Sequence, residues 1–297
     1  MVISMASVTP FVATDSVRVA QLRMARAFAD AGLPTPDLDA RFLMHSVLAL
    51  DGAVVLSHPE RSLGDQAATL WRAMQRRVAH EPVARIVGQR EFYGRLFSVT
   101  PDVLDPRADT EAVIDLALDI ADEKGWRDRP LRIADIGTGS GILAVSLLSE
   151  FPHATAIATD ISEAALSVAQ ANAKRHAVAG RLTCVTCRGL QGVTGPLDII
   201  VSNPPYIPTH VIPSLDADVR DYDPWIALDG GADGLQIYRE IANDVSGLNS
   251  NGWVILELGA GQASDVCSIF ATLSKMPPRL RQDLGGHPRA VAFEILC

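Results

Sequence analysis

From Pro130 onward, runs rich in β-branched residues alternate with amphipathic helical stretches, and no other feature constrains the fold as strongly. The candidate strands are 131–136, 155–160, 181–187, 197–203 and 253–259. Helices are expected at 140–150, 162–176, 233–248 and 262–274. Strand–helix repeats of this kind imply a mostly parallel sheet covered on both faces. Near the end of the chain, 279–284 and 289–296 flank Gly285-Gly286-His287-Pro288 and read as a hairpin, which suits an antiparallel edge. The predicted class is therefore α/β, a Rossmann-like sheet with a C-terminal antiparallel hairpin.

The front of the chain reads differently. Residues 16–80 carry helical spacing throughout. Val19, Leu22, Arg26 and Ala29 share one face, and Gly32 and Pro34 stop that helix. Thr35-Pro36 is a cap followed by a first-turn proline, leading into Leu38, Phe42, Leu43 and Val47 and ending at Asp51-Gly52. Leu63, Ala67, Leu70, Trp71, Met74 and Val78 form the most regular stripe, opened by Ser62 and Asp65 at capping-box spacing. The character changes at Glu81-Pro82. From Ile86 to Leu104, short alternating runs broken by Gly88, Gly94 and Pro101 predict a β-hairpin connector. The expected organisation is a small all-helical domain over 1–84, a connector over 85–105 and the α/β domain over 106–297. The last opens with a helix that turns Val113, Leu116, Ala117 and Ile120 inward, capped by Asp109 or Thr110.

Composition excludes several classes. No segment approaches the ~18 consecutive apolar residues of a membrane helix. Met1 to Thr14 has no basic leader region, so a cytoplasmic protein is expected and no membrane partner. A net charge of −9 opposes nonspecific attraction to nucleic acid, and no direct specific nucleic-acid binding is expected. The clusters Arg72, Arg76, Arg77 and Arg85, Arg90, Arg95 read as solvated faces. Cys184 and Cys187 form a C-x-x-C on a strand, where their side chains point to opposite faces. With no second pair or nearby His, no metal site is expected.

The chemistry sits at strand ends, where open α/β sheets hold their ligands. The first strand runs into Asp135-Ile136-Gly137-Thr138-Gly139-Ser140-Gly141. The glycines permit a tight turn and close approach of a ligand to the backbone. The spacing is G-x-G-x-G rather than the dinucleotide G-x-G-x-x-G, and it fits better the loop that holds the methionine portion of S-adenosylmethionine. The second strand ends in Asp160, an acceptor for both ribose hydroxyls, although an acid there also serves as a helix cap. The fourth strand stops abruptly at Asn203-Pro204-Pro205-Tyr206. Two prolines end any regular element and leave a rigid corner carrying an amide and a ring. Taken alone, this corner reads equally as a proline-rich loop. Beside the glycine loop and Asp160, it becomes the third part of one edge. The side-chain oxygen of Asn203 and the carbonyl of Pro204 accept the two hydrogens of a planar NH2 group, and Tyr206 offers a flat face to it. Such a holder orients the nitrogen for in-line attack on a sulfonium methyl.

Over nearly its whole length the chain resembles the HemK/PrmC family of peptide chain release factor glutamine N5-methyltransferases. The resemblance rests on Glu81-Pro82-Val83-Ala84, Ile86-Val87-Gly88, Glu91-Phe92-Tyr93-Gly94, Pro106 to Glu111, Gly137 to Gly141, Asp160-Ile161-Ser162 and Asn203 to Tyr206. It continues in Asp223-Pro224, Ala227 to Gly234 and Leu256-Glu257-Leu258-Gly259. N-P-P-Y is shared with DNA adenine methyltransferases; the segments Pro106 to Glu111 and Ala227 to Gly234 are more specific. The resemblance implies an N-terminal domain that helps dock the protein substrate and an S-adenosylmethionine-dependent methyltransferase domain. It implies the glutamine of the Gly-Gly-Gln loop of class 1 release factors as substrate. By matching position it assigns Gly137, Thr138, Gly139, Ser140, Gly141, Asp160 and Asn203 to the cofactor. Asn203, Pro204, Pro205 and Tyr206 fall to the glutamine amide, with Asn203, Pro204 and Tyr206 in the reaction itself. Arg107 and Glu111 are expected to shape the pocket.

The sequence departs from the family pattern after the third strand. Cys187-Arg188-Gly189-Leu190 stands where the family usually has an acid near adenine. Competing readings are methylation of a ribosomal protein glutamine, N6-methylation of adenine in nucleic acid, and a cofactor-binding protein without turnover. The intact Asn203 to Tyr206 corner speaks against the last.

Overall fold

The alternating runs after Pro130 close into one mixed sheet in the computed structural model, which describes residues 9–49, 57–246, 252–283 and 285–295. Its central strands are β3 (Arg132–Ile136), β4 (Thr155–Asp160), β5 (Leu182–Thr186), β6 (Ile199–Ser202) and β7 (Trp253–Glu257). Two further strands follow, β8 (Arg279–Gln282) and β9 (Pro288–Glu294). Among the described residues the order is β5-β4-β3-β6-β7-β9-β8. The first five strands run parallel, and β9 pairs antiparallel with both β7 and β8. The predicted hairpin is therefore present, but β9 is an interior strand and β8 the edge. The expected ends at Leu284 and Leu296 lie outside the described residues, as do Leu248 and the helix stop at Asp51-Gly52.

Alternation along each strand sorts side chains to two faces. Ile133, Ala156, Val201 and Ile255 pack against the helices Glu111–Lys124, Ile142–Glu150 and Glu163–Arg175. Ala134, Ile136, Ile200 and Leu256 face the helices Gln236–Ser246 and Ala263–Phe270 on the other side. Each fully buried large side chain contributes about 1.5–3 kcal/mol. The sheet reads as uninterrupted apolar runs because both faces are covered.

The chain divides at Gly88/Gln89 into two compact units. The first unit is helical, with helices Val17–Asp30, Pro36–Leu48, Ala67–Val78 and Val83–Val87 among the described residues. Its core holds Met24, Phe28, Leu43, Met44, Leu70 and Met74, which confirms the stripe centred on Leu70 and Met74. The first helix turns the other way from the expected face. Val17, Ala20, Met24 and Phe28 are buried, while Val19 and Leu22 are 45% and 61% exposed. Both sets fit helical spacing, and the larger Met24 and Phe28 take the interior. Leu38 and Phe42 are likewise exposed, and Ala40, Leu43 and Met44 are buried. The capping box at Ser62 and Asp65 does not form, because Gly64–Gln66 is a 3-10 turn and the helix starts at Ala67. A buried ion pair, Arg77 Nε to Asp39 Oδ2 at 2.7 Å, joins two of these helices.

The second unit begins with the predicted hairpin, β1 (Gln89–Phe92) and β2 (Arg95–Ser98). Phe92 and Phe97 enter the core of the sheet's first face, and Arg95 Nη2 pairs with Glu150 at 2.6 Å.

Candidate active site

The strand order reverses between β3 and β6, and this crossing point is where a cleft opens at the carboxyl ends of a doubly wound sheet. Ile136 and Ser202 are register partners, and the Ser202 hydroxyl donates to the Ile136 carbonyl at 2.7 Å. That pairing sets the glycine loop beside the Asn203 corner. A cavity of about 520 Å³ lies over it, within the roughly 300–1,000 Å³ usual for small-molecule sites.

Gly137, Thr138, Gly139, Ser140, Asp160, Asn203 and Pro205 all line this cavity. Gly141, Pro204 and Tyr206 do not. Gly141 is buried at φ +81°, and a Cβ there would lie 3.0 Å from that of Ala169. Pro204 is buried, and Tyr206 packs toward the opposite face of the sheet.

The loop is fixed by acids at both ends. Asp135 Oδ2 accepts from Thr138 Oγ1 at 2.6 Å and from the Ala144 N–H at 3.0 Å. Burial pushes this carboxyl up to about 6, against the hydrogen bonds that favour its anion. Its Oδ1 has no hydrogen-bond partner, although the residue lines the cavity. Asp160 accepts from the Gly139 N–H at 3.0 Å and the Ser162 N–H at 2.9 Å. A carboxylate has about four lone-pair sites, so acceptor capacity remains for a ligand hydroxyl. Exposed backbone, an unused acid oxygen and apolar walls from Val103, Leu104, Ile142 and Ile161 together fit an amphipathic nucleoside with a charged amino-acid tail.

At the corner, the Asn203 Nδ2 donates to Thr110 Oγ1 at 3.1 Å. Among the described residues nothing donates to its Oδ1. Thr110 is fully buried, between the 3-10 turn Ala108–Thr110 and the helix that starts at Glu111. Behind it sits Glu257, at the end of β7 and 2% exposed. The Tyr206 hydroxyl donates to Glu257 Oε1 at 3.3 Å. Burial pushes Glu257 up to about 7, while Thr110 and Tyr206 favour its anion. Desolvation and the Glu257 charge push the Tyr206 hydroxyl upward, so it remains a neutral donor.

The segment Ala227 to Gly234 holds this corner in place. Ile207 N–H bonds to the Leu228 carbonyl at 3.0 Å, and Gly230 N–H returns to the Ile207 carbonyl at 2.8 Å. The backbone of Tyr206 passes so close that a Cβ on Gly230 would lie 2.8 Å from it, which explains the glycine. Gln262 Nε2 donates to the Tyr206 carbonyl at 3.0 Å. Asp229 lines the cavity and accepts from Thr209, Gly231 and Trp225. These hydrogen bonds hold its carboxyl below the usual range.

Arg107 and Glu111 lie off the cavity wall and act on the segments beside it. Arg107 Nη2 pairs with Asp223 Oδ2 at 2.8 Å, and Glu111 Oε1 accepts from the Tyr93 N–H of the hairpin turn at 2.8 Å. Neither lines the cavity, whereas Pro106 does. After β5, Arg188 turns onto Glu240 in a two-pronged pair at 2.9 and 2.7 Å. Arg188 and Glu240 both line the cavity, so its acid at this end comes from the helix Gln236–Ser246.

Sequence reasoning missed Asn172, Thr110 as a partner of the corner, and Gln262. Asn172 is fully buried, donates to the carbonyls of Ser98 and Ser140, and accepts from the Ser98 N–H. It ties the hairpin to the glycine loop. Its signal is an amide on the inward side of an apolar helix face, visible only once that face is known.

Residues 20–88 match the family model of the PrmC N-terminal domain, and residues 122–213 match that of the Methyltransferase small domain. The chain is 41% identical over 283 residues to a release factor glutamine methyltransferase of Bradyrhizobium diazoefficiens, covering 94% of each. It is 39% identical over 282 residues to one of Agrobacterium fabrum, covering 94% of this chain and 98% of that protein. A solved structure of the hMettl16 catalytic domain in complex with MAT2A 3′UTR hairpin 6 superposes with a TM-score of 0.54 at 14% identity. That match covers 68% of this chain and 76% of the other, and it is a likeness of fold.

Proposed function

The chain belongs to the release factor glutamine methyltransferase family, and from that membership we propose that it transfers a methyl group from S-adenosylmethionine to the side-chain amide nitrogen of a release factor glutamine. The target is the glutamine of the Gly-Gly-Gln loop of class 1 peptide chain release factors. Such a substrate makes this a cytoplasmic enzyme. Among the described residues no helix is long and apolar enough to cross a membrane. The helical unit serves to dock the release factor.

The observation that carries the chemistry is the Asn203–Thr110 hydrogen bond. It occupies the NH2 end of Asn203 and leaves Oδ1 as an acceptor on a residue of the cavity wall. S-adenosylmethionine supplies an electrophilic methyl on a sulfonium that departs as a neutral thioether. Gly137, Thr138, Gly139 and Ser140 hold its amino-acid end, with Gly141 packed behind the loop on Ala169, and Asp160 accepts from its ribose hydroxyls. Asn203 Oδ1 and the Pro204 carbonyl accept the two N–H groups of the substrate amide and fix the direction of its nitrogen. An amide nitrogen is a weak nucleophile because its lone pair is delocalised. As it becomes cationic in the transition state, both acceptors bind its hydrogens more strongly, which lowers the barrier. The surplus proton then leaves to water. Pro205, on the cavity wall, flanks the planar group, while Tyr206 braces the corner from behind through its bond to Glu257.

Incubation with labelled S-adenosylmethionine and, separately, a release factor, a ribosomal protein and DNA tests this. Label is expected on the release factor alone, and absent from a variant whose loop glutamine is alanine. Label only in DNA would overturn the reading. Asn203→Ala is expected to lower turnover by roughly hundredfold or more, with cofactor affinity by calorimetry unchanged.

A further inference from the structure

Trp225 and Ile226 line the cavity yet are 50% and 56% exposed, and the chemistry above uses neither. A large apolar side chain left in water forgoes about 1.5–3 kcal/mol of burial, and two in succession at the rim of a site mark a contact surface. The segment that carries them is anchored at both ends. Upstream, the buried Asp223 accepts from the Asp105 N–H at 3.1 Å and from Arg107 Nη2 at 2.8 Å. Downstream, Leu228 is buried and Asp229 forms a parallel bridge with Ile207, the residue that follows the Asn203 to Tyr206 corner. Between these anchors, Trp225–Ala227 is a single 3-10 turn. The indole is held too. Its Nε1 donates to Asp229 Oδ2 at 3.2 Å, and Asp229 Oδ1 accepts from Thr209 Oγ1 at 2.6 Å and from the Gly231 N–H at 3.0 Å. With its one polar group engaged by a fixed carboxylate, the ring offers a rigid apolar face to solvent.

We propose that Trp225 and Ile226 seat the main chain of the protein substrate, taking the glycine-rich backbone beside the target glutamine while its amide lies at Asn203. This rests on the release-factor reading of the site. Two observations select that occupant. First, the segment hangs from the corner that holds the amide. The Ile207 N–H donates to the Leu228 carbonyl at 3.0 Å, and the Gly230 N–H returns to the Ile207 carbonyl at 2.8 Å. Among the described residues no hydrogen bond joins residues 224–229 to the glycine loop or to Asp160, the parts assigned to the cofactor. Second, the reach is short. A glutamine side chain spans only roughly 5 Å from Cα to its amide nitrogen, so the backbone that bears it must rest on the rim beside the corner, where this turn stands. Two glycines suit such a seat. With no side chains, their backbone can lie directly against the indole, and a side chain at either position would lift it away. Tryptophan is also the residue type that most often dominates the energetics of a protein contact.

Kinetics with release factor varied at saturating S-adenosylmethionine test the seat. Trp225→Ala is expected to raise KM for release factor roughly tenfold or more, with kcat and the calorimetric affinity for S-adenosylmethionine unchanged, the pattern of lost uniform binding. Trp225→Phe keeps a flat face and is expected to recover most of that loss. Parental KM in Trp225→Ala, or a fall in cofactor affinity in place of the rise in KM, overturns the proposal. A release factor with valine for the glycine before its target glutamine is expected to cost the parent more than it costs Trp225→Ala; equal costs count against the seat. A second readout needs no activity and carries the test if Trp225→Ala does not fold. In enzyme bearing 5-fluorotryptophan and saturated with S-adenosylhomocysteine, the fluorine resonance of Trp225, identified by its loss in Trp225→Phe, is expected to shift as release factor is added. A Trp225 resonance that stays in place while release factor is bound and methylated sinks the seat alone. A parent that neither binds nor labels release factor sinks the functional reading, and the seat with it.

Discussion

At the scale of single residues, the site depends on two acids held in costly surroundings. Glu257 is raised to about 7 and Asp135 to about 6 by burial. The sign follows directly. For each, the folded protein takes up a proton more readily than the unfolded chain, so the stability it contributes is full below the unfolded value near 4 and is lost as pH rises through the folded one. Glu257→Gln removes one of these terms. Urea unfolding is expected to show the parent losing more stability than the variant between pH 5 and pH 8, by roughly 3 kcal/mol. Equal pH slopes would contradict the burial of an ionised Glu257. Asn203 and Asp160 were legible in the sequence because each closes a strand whose apolar run is unmistakable. Thr110 was legible only as a helix cap. Its bond to Asn203 joins residues 93 positions apart, and no local pattern encodes a contact of that range.

Among the elements, strand cores were read well and helix faces less well. The run 155–160 coincides with β4, and the other parallel strands differ by one or two residues at their ends. Strands buried on both faces leave little doubt in sequence. The helix Val17–Asp30 offers two stripes at helical spacing, and Met24 and Phe28, packed with Leu43 and Met44, decide which one is buried. Asn172 belongs to this scale, since it connects the helix Glu163–Arg175 to β2 and the glycine loop at once. Asn172→Ala leaves the Ser98 N–H and two carbonyls without their partner. A loss of roughly 2–4 kcal/mol in urea unfolding is expected, together with weaker cofactor binding because Ser140 is freed. Full stability in that variant would show that water replaces the amide.

For the molecule as a whole, every residue that lines the cavity lies between Asp102 and Ile241, inside the second unit. A chain of residues 89–297 is expected to bind S-adenosylmethionine with the parental affinity by calorimetry and to methylate release factor poorly. A tenfold or greater loss of cofactor affinity would contradict this. Strand order could not be taken from the sequence, because alternation announces a parallel sheet without saying which strands are neighbours. The place of β9 is the clearest case. Read locally, it is half of a terminal hairpin; in the sheet it joins β7 to β8 and pairs along both its edges. During synthesis, β3 to β7 emerge from the ribosome well before residue 288, and β8 emerges with no neighbour to bond to. The open edge of β7 must therefore wait, apolar and unpaired, until the last strand arrives to cover it. Until β9 pairs, that edge is open to other chains, so a chain lacking β8 and β9 is expected to aggregate where the full chain does not.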